Sequence, residues 1–309
     1  MPKKSKTLYQ CSGCGHKTFK WVGKCSECKE WNTVEQNTSN LSHSNGIDSP
    51  THRSVVEPLV ELNDVSTDRM AYIATGIKEF DRVMGGGFVA GSTTLVAGDP
   101  GIGKSTLLLQ AVAGIAKAGR KVLYATGEEG LEQIHLRASR LGISGDRIYV
   151  VATGDVVEIA AHMVQAEPVV VIVDSIQTAT HPDLDSSSGT ISQIRECASF
   201  LSSHARANHI SLVVSGHVTK DGSIAGPRVL EHQVDTVLQI RGDTSGPLRM
   251  LQGVKNRFGA TDELGVFEMR EEGLYGILDP SQVFMNQRVK EASGSAIAII
   301  VEGTRSLAV

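Results

Sequence analysis

Three groups of residues have types and spacings that can do chemistry. The first is Gly98-Asp-Pro-Gly-Ile-Gly-Lys104-Ser105, which satisfies G-x-x-x-x-G-K-[ST]. The β-branched apolar run 92–97 precedes it and reads as a buried strand; residues 104–118 follow, with Leu108, Val112 and Ile115 at helical spacing. Strand, glycine-rich turn and helix form a phosphate cradle. Backbone N–H groups and the helix N-terminus hold a β-phosphate. Lys104 reaches the β- and γ-phosphates, and the Ser105 hydroxyl helps to hold Mg²⁺. Gly98, Asp99, Pro100, Gly101, Ile102, Gly103, Lys104, Ser105 and Thr106 are therefore assigned to a nucleoside triphosphate. Such a loop alone serves a kinase, a transporter or a GTPase equally.

The second group is Cys11-x₂-Cys14-x₁₀-Cys25-x₂-Cys28. Four thiolates close tetrahedrally around one zinc ion and leave no open position, which makes the site structural. It would hold together a module too small to fold on an apolar core alone. A redox dithiol is the other use of CxxC, but paired knuckles with tight turns at Gly13-Cys14-Gly15 and Cys28-Lys29 favour zinc. Phe19, Trp21 and Trp31 read as the small core of this ribbon rather than as a base-stacking platform. Cys197, alone in a helical pattern, reads as a buried apolar residue.

The third group consists of acids and cations at strand ends. Glu167–Asp174 is a continuous apolar run closing on an acid, and Asp174 is placed to hold Mg²⁺ through water, with Ser175 behind it. Lys121–Glu129 ends in two acids: Glu128 is the candidate to polarise the attacking water, and Glu129 reads as the start of the next helix, where the dipole favours it. His217 follows another strand and is the candidate γ-phosphate sensor. The loops 181–189 and 219–228, the second carrying Lys220 and Arg228, form either a nucleotide-gated binding surface or ordinary solvated connections. Lys255 and Arg257 have no evident carboxylate nearby in sequence, so they are candidates for reaching a neighbouring subunit's phosphates.

These residues require a scaffold that brings strand ends to one edge. Strands are expected at 92–97, 122–126, 148–151, 169–174, 210–215, 234–240, 249–255 and 266–269, and helices at 104–118, 129–140, 155–166 and 190–207. Alternation of this kind predicts an α/β protein with a mainly parallel sheet, and the late run of strands an antiparallel extension. A four-cysteine zinc ribbon at 1–31, a flexible linker at 32–54 and a nucleotide-binding α/β core at 55–276 follow; for 277–309 the family resemblance given below implies a connector and the start of a further domain, and for the core an ATPase. The stretch 37–54 is dominated by Asn, Ser and Thr and has too few large apolar groups to offset its ordering entropy; His43 and His52 within it read as solvated.

The chain has 309 residues, 40% hydrophobic and 21% charged, an ordinary globular composition. The apolar runs 169–173 and 296–301 are far too short to span a bilayer, and the basic start leads into no signal segment, so a cytoplasmic protein with no membrane partner is expected. Net charge is −4, but residues 1–30 carry +5 and the remainder −9. A basic head on an acidic body is compatible with nucleic-acid contact by the head, and equally with a soluble surface once zinc-bound thiolates are counted.

Taken together, the four-cysteine ribbon at 11–28, Thr75-Gly76 with Asp81-Arg-Val-Met-Gly-Gly-Gly87, the loop at 98–110 and Lys255-Asn-Arg-Phe-Gly259 resemble the RadA/Sms family of bacterial recombination proteins, relatives of RecA and of DnaB-type helicases. The resemblance covers the chain apart from the linker. It implies a RecA-like P-loop ATPase core, with ATP, Mg²⁺ and Zn²⁺ as cofactors. It also implies a homo-hexameric ring acting on single-stranded and branched DNA with the RecA recombinase, driving branch migration by ATP hydrolysis. Lys104, Ser105 and Asp174 would serve ATP and Mg²⁺, Glu128 would be catalytic, and Lys255 and Arg257 would act across the subunit interface. Lys220 and Arg228 are the DNA-contact candidates in loops that would face the ring's channel. Family members continue into a domain resembling the Lon protease fold; 293–309 resembles its first strand, and the chain stops within it, leaving 296–301 as an unpaired strand. Two other classes remain open: a signalling ATPase or autokinase resembling the circadian-clock KaiC proteins, and a non-catalytic nucleotide-binding adaptor.

Overall fold

The computed structural model describes residues 72–217, 227–242 and 246–279, together with the shorter pieces 9–11, 17–18, 22–29, 31, 34–36, 61–64, 299–302 and 305–308. Contacts divide the chain into two units, Met1–Val65 and Ser66–Val309.

In the first unit β1 (Tyr9–Cys11) pairs antiparallel with β2 (Lys17–Thr18) and with β3 (Val34–Gln36). A further antiparallel bridge joins Lys24 and Trp31, and the Lys24 Nζ stands 5.3 Å from the centre of the indole. Trp31 is 69% exposed, so it is not part of a ribbon core as its position among the cysteines suggested. Phe19 and Trp21 lie outside the described residues, as does the linker at 37–54.

The second unit opens with β4 (Tyr72–Ile73), α1 (Lys78–Met84) and β5 (Phe88–Val89). It continues with β6 (Thr93–Gly98), α2 (Lys104–Lys117), β7 (Val122–Thr126), α3 (Leu131–Arg140), β8 (Ile148–Ala152), α4 (Val156–Ala166) and β9 (Val170–Asp174). Then come α5 (Ile191–Ala207), β10 (Ser211–His217), α6 (Pro227–Glu231), β11 (Thr236–Arg241), β12 (Leu248–Asn256), β13 (Leu264–Arg270) and β14 (Gly273–Gly276). Nine of these strands form one sheet in the order β14-β13-β12-β11-β6-β10-β9-β7-β8. The pairings among β11, β6, β10, β9, β7 and β8 are parallel, and β12, β13 and β14 extend the sheet antiparallel, as the alternation of patterns predicted.

Period-two alternation splits the sheet's side chains between two cores. Val96, Tyr124, Ile172 and Val213 point to one face, where they meet Phe80 of α1, Leu108 of α2 and Ile134 of α3. Leu95, Leu123, Val171 and Leu212 point to the other, against Ile159 of α4, Leu201 of α5 and Leu230 of α6. Strands buried on both faces read as continuous apolar runs, which is why 170–174 was legible from sequence alone.

Four details differ from the sequence-based expectation. α6 falls at the end of the span read as the loop 219–228, so Arg228 sits in a short helix. α1 and β14 are short, glycine-bounded elements whose patterns are too brief to register as periodic. Helix α3 starts at Leu131, after the N-cap Gly130, so Glu129 precedes the helix instead of opening it; Glu132 is the acid of the first turn. The apolar run ending at Val301 is also paired: β15 (Ile299–Glu302) and β16 (Arg305–Ala308) form an antiparallel hairpin, with Ile299 opposite Ala308.

The segment leading into α1 is held by Asp81 and seated on α2. Asp81 accepts hydrogen bonds from Thr75 N (2.8 Å), Thr75 Oγ1 (2.7 Å) and Gly76 N (2.9 Å), fixing the turn into α1. That turn lies directly on α2: a Cβ at Gly114 would fall 1.7 Å from the Thr75 carbonyl oxygen. Gly114→Ala should therefore cost about 2–3 kcal/mol of stability, measured as a lower urea midpoint at unchanged slope.

Candidate functional site

The parallel register brings several strand ends level. Gly98 at the end of β6 pairs with His217 at the end of β10, and Thr126 at the end of β7 pairs with Asp174 at the end of β9. The chain leaves β6 through α2 and returns at β7, with β10 and β9 in between. Open parallel sheets bind ligands in the crevice outside such a reversal of strand order.

Lys104 opens α2 and is 5% exposed. Its Nζ donates to the carbonyls of Gly98 (2.8 Å) and Asp99 (2.9 Å) and lies 3.1 Å from His217 Nδ1. Burial pulls its pKa below the ordinary lysine value, and the charges of Asp174, Glu128 and Asp99 oppose that fall. An ammonium group has only donors, so Nδ1 of His217 accepts and the ring proton sits on Nε2. Nε2 faces Glu128 Oε1 at 3.5 Å. The same Glu128 oxygen accepts the hydroxyl of Ser175. Thr126 Oγ1 accepts from the backbone N–H groups of Glu128 (3.3 Å) and Glu129 (3.1 Å), which fixes the turn that aims Glu128. Glu129 turns away and pairs with Arg137.

Asp174 is 7% exposed, and both its oxygens are engaged. Oδ2 accepts the Tyr124 hydroxyl at 2.5 Å and Oδ1 accepts the Ser215 hydroxyl. Burial, then the charge of Asp174, raises the Tyr124 pKa well above its ordinary value, so this phenol remains a donor. Tyr124 and Ser215 were missed by the sequence reading. The available signal was a tyrosine within an otherwise apolar buried strand, because a buried phenol almost always has a partner.

The loop is supported from the sheet's antiparallel side. A Cβ at Gly103, whose φ is 111°, would stand 2.5 Å from Met269 Cε and 3.2 Å from Leu274 Cδ1, so the turn lies directly on the β13–β14 hairpin. Gln110 of α2 donates to the Leu274 carbonyl at 3.2 Å and accepts the Leu274 N–H at 2.9 Å. Ser105 and Thr106 lie half-buried in the first turn of α2.

In the first unit the sulfur atoms of Cys11, Cys25 and Cys28 lie within 4.8 Å of one another, and Cys11 Sγ is 3.6 Å from Cys28 Sγ. Tetrahedral zinc with Zn–S bonds of about 2.3 Å sets neighbouring sulfurs about 3.8 Å apart, so the separations fit that ion. Lys29, at φ 61°, returns its N–H to the Cys25 carbonyl at 3.1 Å and closes the knuckle. Cys14 lies outside the described residues.

A model of the AAA domain matches residues 56–223, and one of the rubredoxin metal binding domain matches residues 9–36. The curated "DNA repair protein RadA" of Escherichia coli (strain K12) is 40% identical over 313 residues, covering 100% of this chain and 68% of the relative. The chain belongs to the RadA family. The RadA of Mycobacterium tuberculosis (strain ATCC 25618 / H37Rv) is 46% identical over 308 residues, which cover 98% of this chain and 63% of that protein. The chain thus spans a little under two thirds of that relative. Among solved structures, an ATPase domain superposes with a TM-score of 0.59 at 15% identity, covering 68% of this chain and 93% of that one, a likeness of fold.

Within this RadA-family chain, Lys104, Glu128, Asp174 and His217 come together at one rim, while Lys255 and Arg257 do not join them. Lys255 Nζ donates to the carbonyls of Glu231 and Val234, both at 2.6 Å, at the C-terminal end of α6. Arg257 does have a local carboxylate, contrary to the reading from sequence: its Nε lies 3.7 Å from Asp235 Oδ1, with the side chain 60% exposed. Lys220 and the Arg228 side chain lie outside the described residues. Among the described residues no helix is long and apolar enough to cross a membrane.

Tyr124→Phe removes one donor from Asp174 at nearly constant volume and should lower unfolding free energy by about 1–3 kcal/mol, read from urea denaturation. Metal analysis of the purified chain should find about one zinc per molecule, lost on Cys25→Ser; unchanged zinc in that variant would remove the thiolate assignment.

Proposed function

We propose that the chain is the ATP-hydrolysing part of a DNA motor for recombinational repair. The observation that carries the hydrolytic part of this reading is the continuous chain of contacts from Lys104 through His217 and Glu128 to Ser175, beside Asp174, at one rim of a parallel sheet; the DNA-repair part is supported by the relatives' name. In the proposed reaction water attacks the γ-phosphorus and the bond to the β–γ bridging oxygen breaks, giving ADP and inorganic phosphate. Glu128 accepts a hydrogen bond from that water and polarises it. Lys104 gives up its carbonyl partners for the β- and γ-phosphates. His217, bonded to Lys104 on one nitrogen and facing Glu128 on the other, registers whether the γ-phosphate is present.

Ser105 and Asp174 would hold Mg²⁺, which when bound neutralises charge on the β- and γ-oxygens. Asp174 fits this role because its two hydroxyl partners fix the carboxylate while leaving lone pairs for metal-bound water. The zinc ribbon is structural, and the four-part division at residues 31, 54 and 276 is retained as the working domain scheme.

We assign Lys255 and Arg257 to a neighbouring subunit's site in a homo-hexameric ring. Register supports this: Lys255 pairs with Val237, which pairs with Leu95, three residues back along β6 from Gly98. That is about 10 Å down the strand at the usual rise, away from this chain's own loop. DNA, single-stranded or branched, would run along the ring's channel past Lys220 and Arg228, extending exchange begun by the RecA recombinase, in the cytoplasm.

ATP turnover measured with and without single-stranded DNA tests the proposal. Stimulation by DNA is expected, with Lys104→Ala inactive. Glu128→Gln should lower kcat by about 100-fold or more while retaining nucleotide. Phosphate transferred to a Ser or Thr of the chain with no response to DNA would favour an autokinase instead, and nucleotide binding without turnover an adaptor.

A further inference from the structure

The start of β12 sends a charged side chain beneath the phosphate loop. Arg249 is 5% exposed, and it shares a strand face with Leu251, which belongs to the core under α1 and α2. Gly242 leaves room for its stem: a Cβ there would stand 3.1 Å from Arg249 Cδ and 2.6 Å from the Leu248 carbonyl oxygen. The guanidinium donates through Nε to the Ile102 carbonyl at 3.1 Å. Through Nη1 it donates to the carbonyls of Gly246 (2.6 Å) and Leu248 (2.8 Å). One buried cation therefore ties the β11–β12 connection to the fifth residue of the Gly98–Ser105 loop.

The bond to Ile102 has a consequence on the opposite side of the loop. Ile102 and Gly103 share one peptide plane, and that peptide is trans, since Asp174–Ser175 is the one cis bond among the described residues. In a trans peptide the C=O and N–H point in opposite directions. Holding the Ile102 oxygen down onto Arg249 turns the Gly103 N–H away from β12 and into the loop, where the unpaired N–H groups of the first turn of α2 also lie. Glycine offers little resistance to rotation of this plane, because its φ of 111° is one of many accessible values. The plane needs an external restraint, and a planar, permanently charged fork that grips several carbonyls supplies it.

We propose that Arg249 is a positioning residue of the phosphate cradle, fixing the Gly103 N–H as a donor to the nucleotide's β-phosphate. Arg249 touches no phosphate itself; it acts through the Ile102–Gly103 peptide. The proposal rests on the nucleotide reading above and adds to it a residue 147 positions from the loop residue that it holds.

The test uses the full chain, ADP as the probe and two readouts. Calorimetric titration gives ADP affinity, and ¹⁵N-glycine labelling reports the shift of the Gly103 amide when ADP is added. Arg249→Met, which keeps an apolar stem and removes every donor, should weaken ADP binding about tenfold or more and shrink the Gly103 amide shift. Arg249→Lys retains charge and stem without the fork and should show the same two losses in smaller measure, carrying the test if Arg249→Met does not fold. A folded variant with wild-type ADP affinity and a wild-type Gly103 shift overturns the proposal alone. Failure of the wild-type chain to bind ADP overturns it together with the nucleotide reading.

Discussion

The ammonium of Lys104 is the constraint around which the body is arranged. A lysine 5% exposed loses most of its hydration, and burial is the main influence lowering its pKa. Leaving a charge so buried without partners would cost several kcal/mol. The fold meets this with two carbonyls from the loop, an imidazole nitrogen from β10, and the negative charges of Asp174, Glu128 and Asp99. Asp99 belongs to the loop itself, but Asp174 and Glu128 lie far from Lys104 in sequence. They arrive because four parallel strands end in register, so the electrostatic requirement and the strand order are one condition.

That condition explains why the site is braced from below as well as lined from above. Three of the eight residues of the phosphate loop are glycine, and such a loop is held by the scaffold it rests on. Here the support comes from the antiparallel half of the sheet: Met269 and Leu274 beneath Gly103, the paired Gln110–Leu274 bonds, and Arg249 beneath Ile102. The antiparallel strands are thus part of the nucleotide site's foundation. On the acidic side, Tyr124 and Ser215 do for Asp174 what Arg249 does for the loop, holding a group in one orientation through interior hydrogen bonds.

Much of this was legible in the sequence, and the rest was not for identifiable reasons. The loop and its flanking strand and helix obey a local pattern, and Asp174, Glu128 and His217 follow apolar runs whose ends are visible without knowing what they pack against. Residues that depend on a partner far along the chain left no such mark. Tyr124 looks like any core aromatic until Asp174 stands beside it 50 positions later, and Arg249 is an ordinary strand cation until Ile102 is known to lie above it. Short elements escaped for another reason: α6 has five residues and β14 four, too few for a period to show. The view that Arg257 lacked a local partner failed because Asp235, 22 positions earlier, was invisible until β11 and β12 were paired.

The central claim is that one rim of the sheet, from Gly98 to His217, is built for a triphosphate. It is tested most directly by a crystal structure of the chain with a non-hydrolysable ATP analogue. The account predicts the β-phosphate within hydrogen-bond distance of the backbone N–H groups of Gly101–Ser105, Lys104 Nζ transferred from the Gly98 and Asp99 carbonyls to phosphate oxygens, and His217 within reach of the γ-phosphate. A triphosphate bound elsewhere, or bound there with Lys104 still on its two carbonyls, would contradict it.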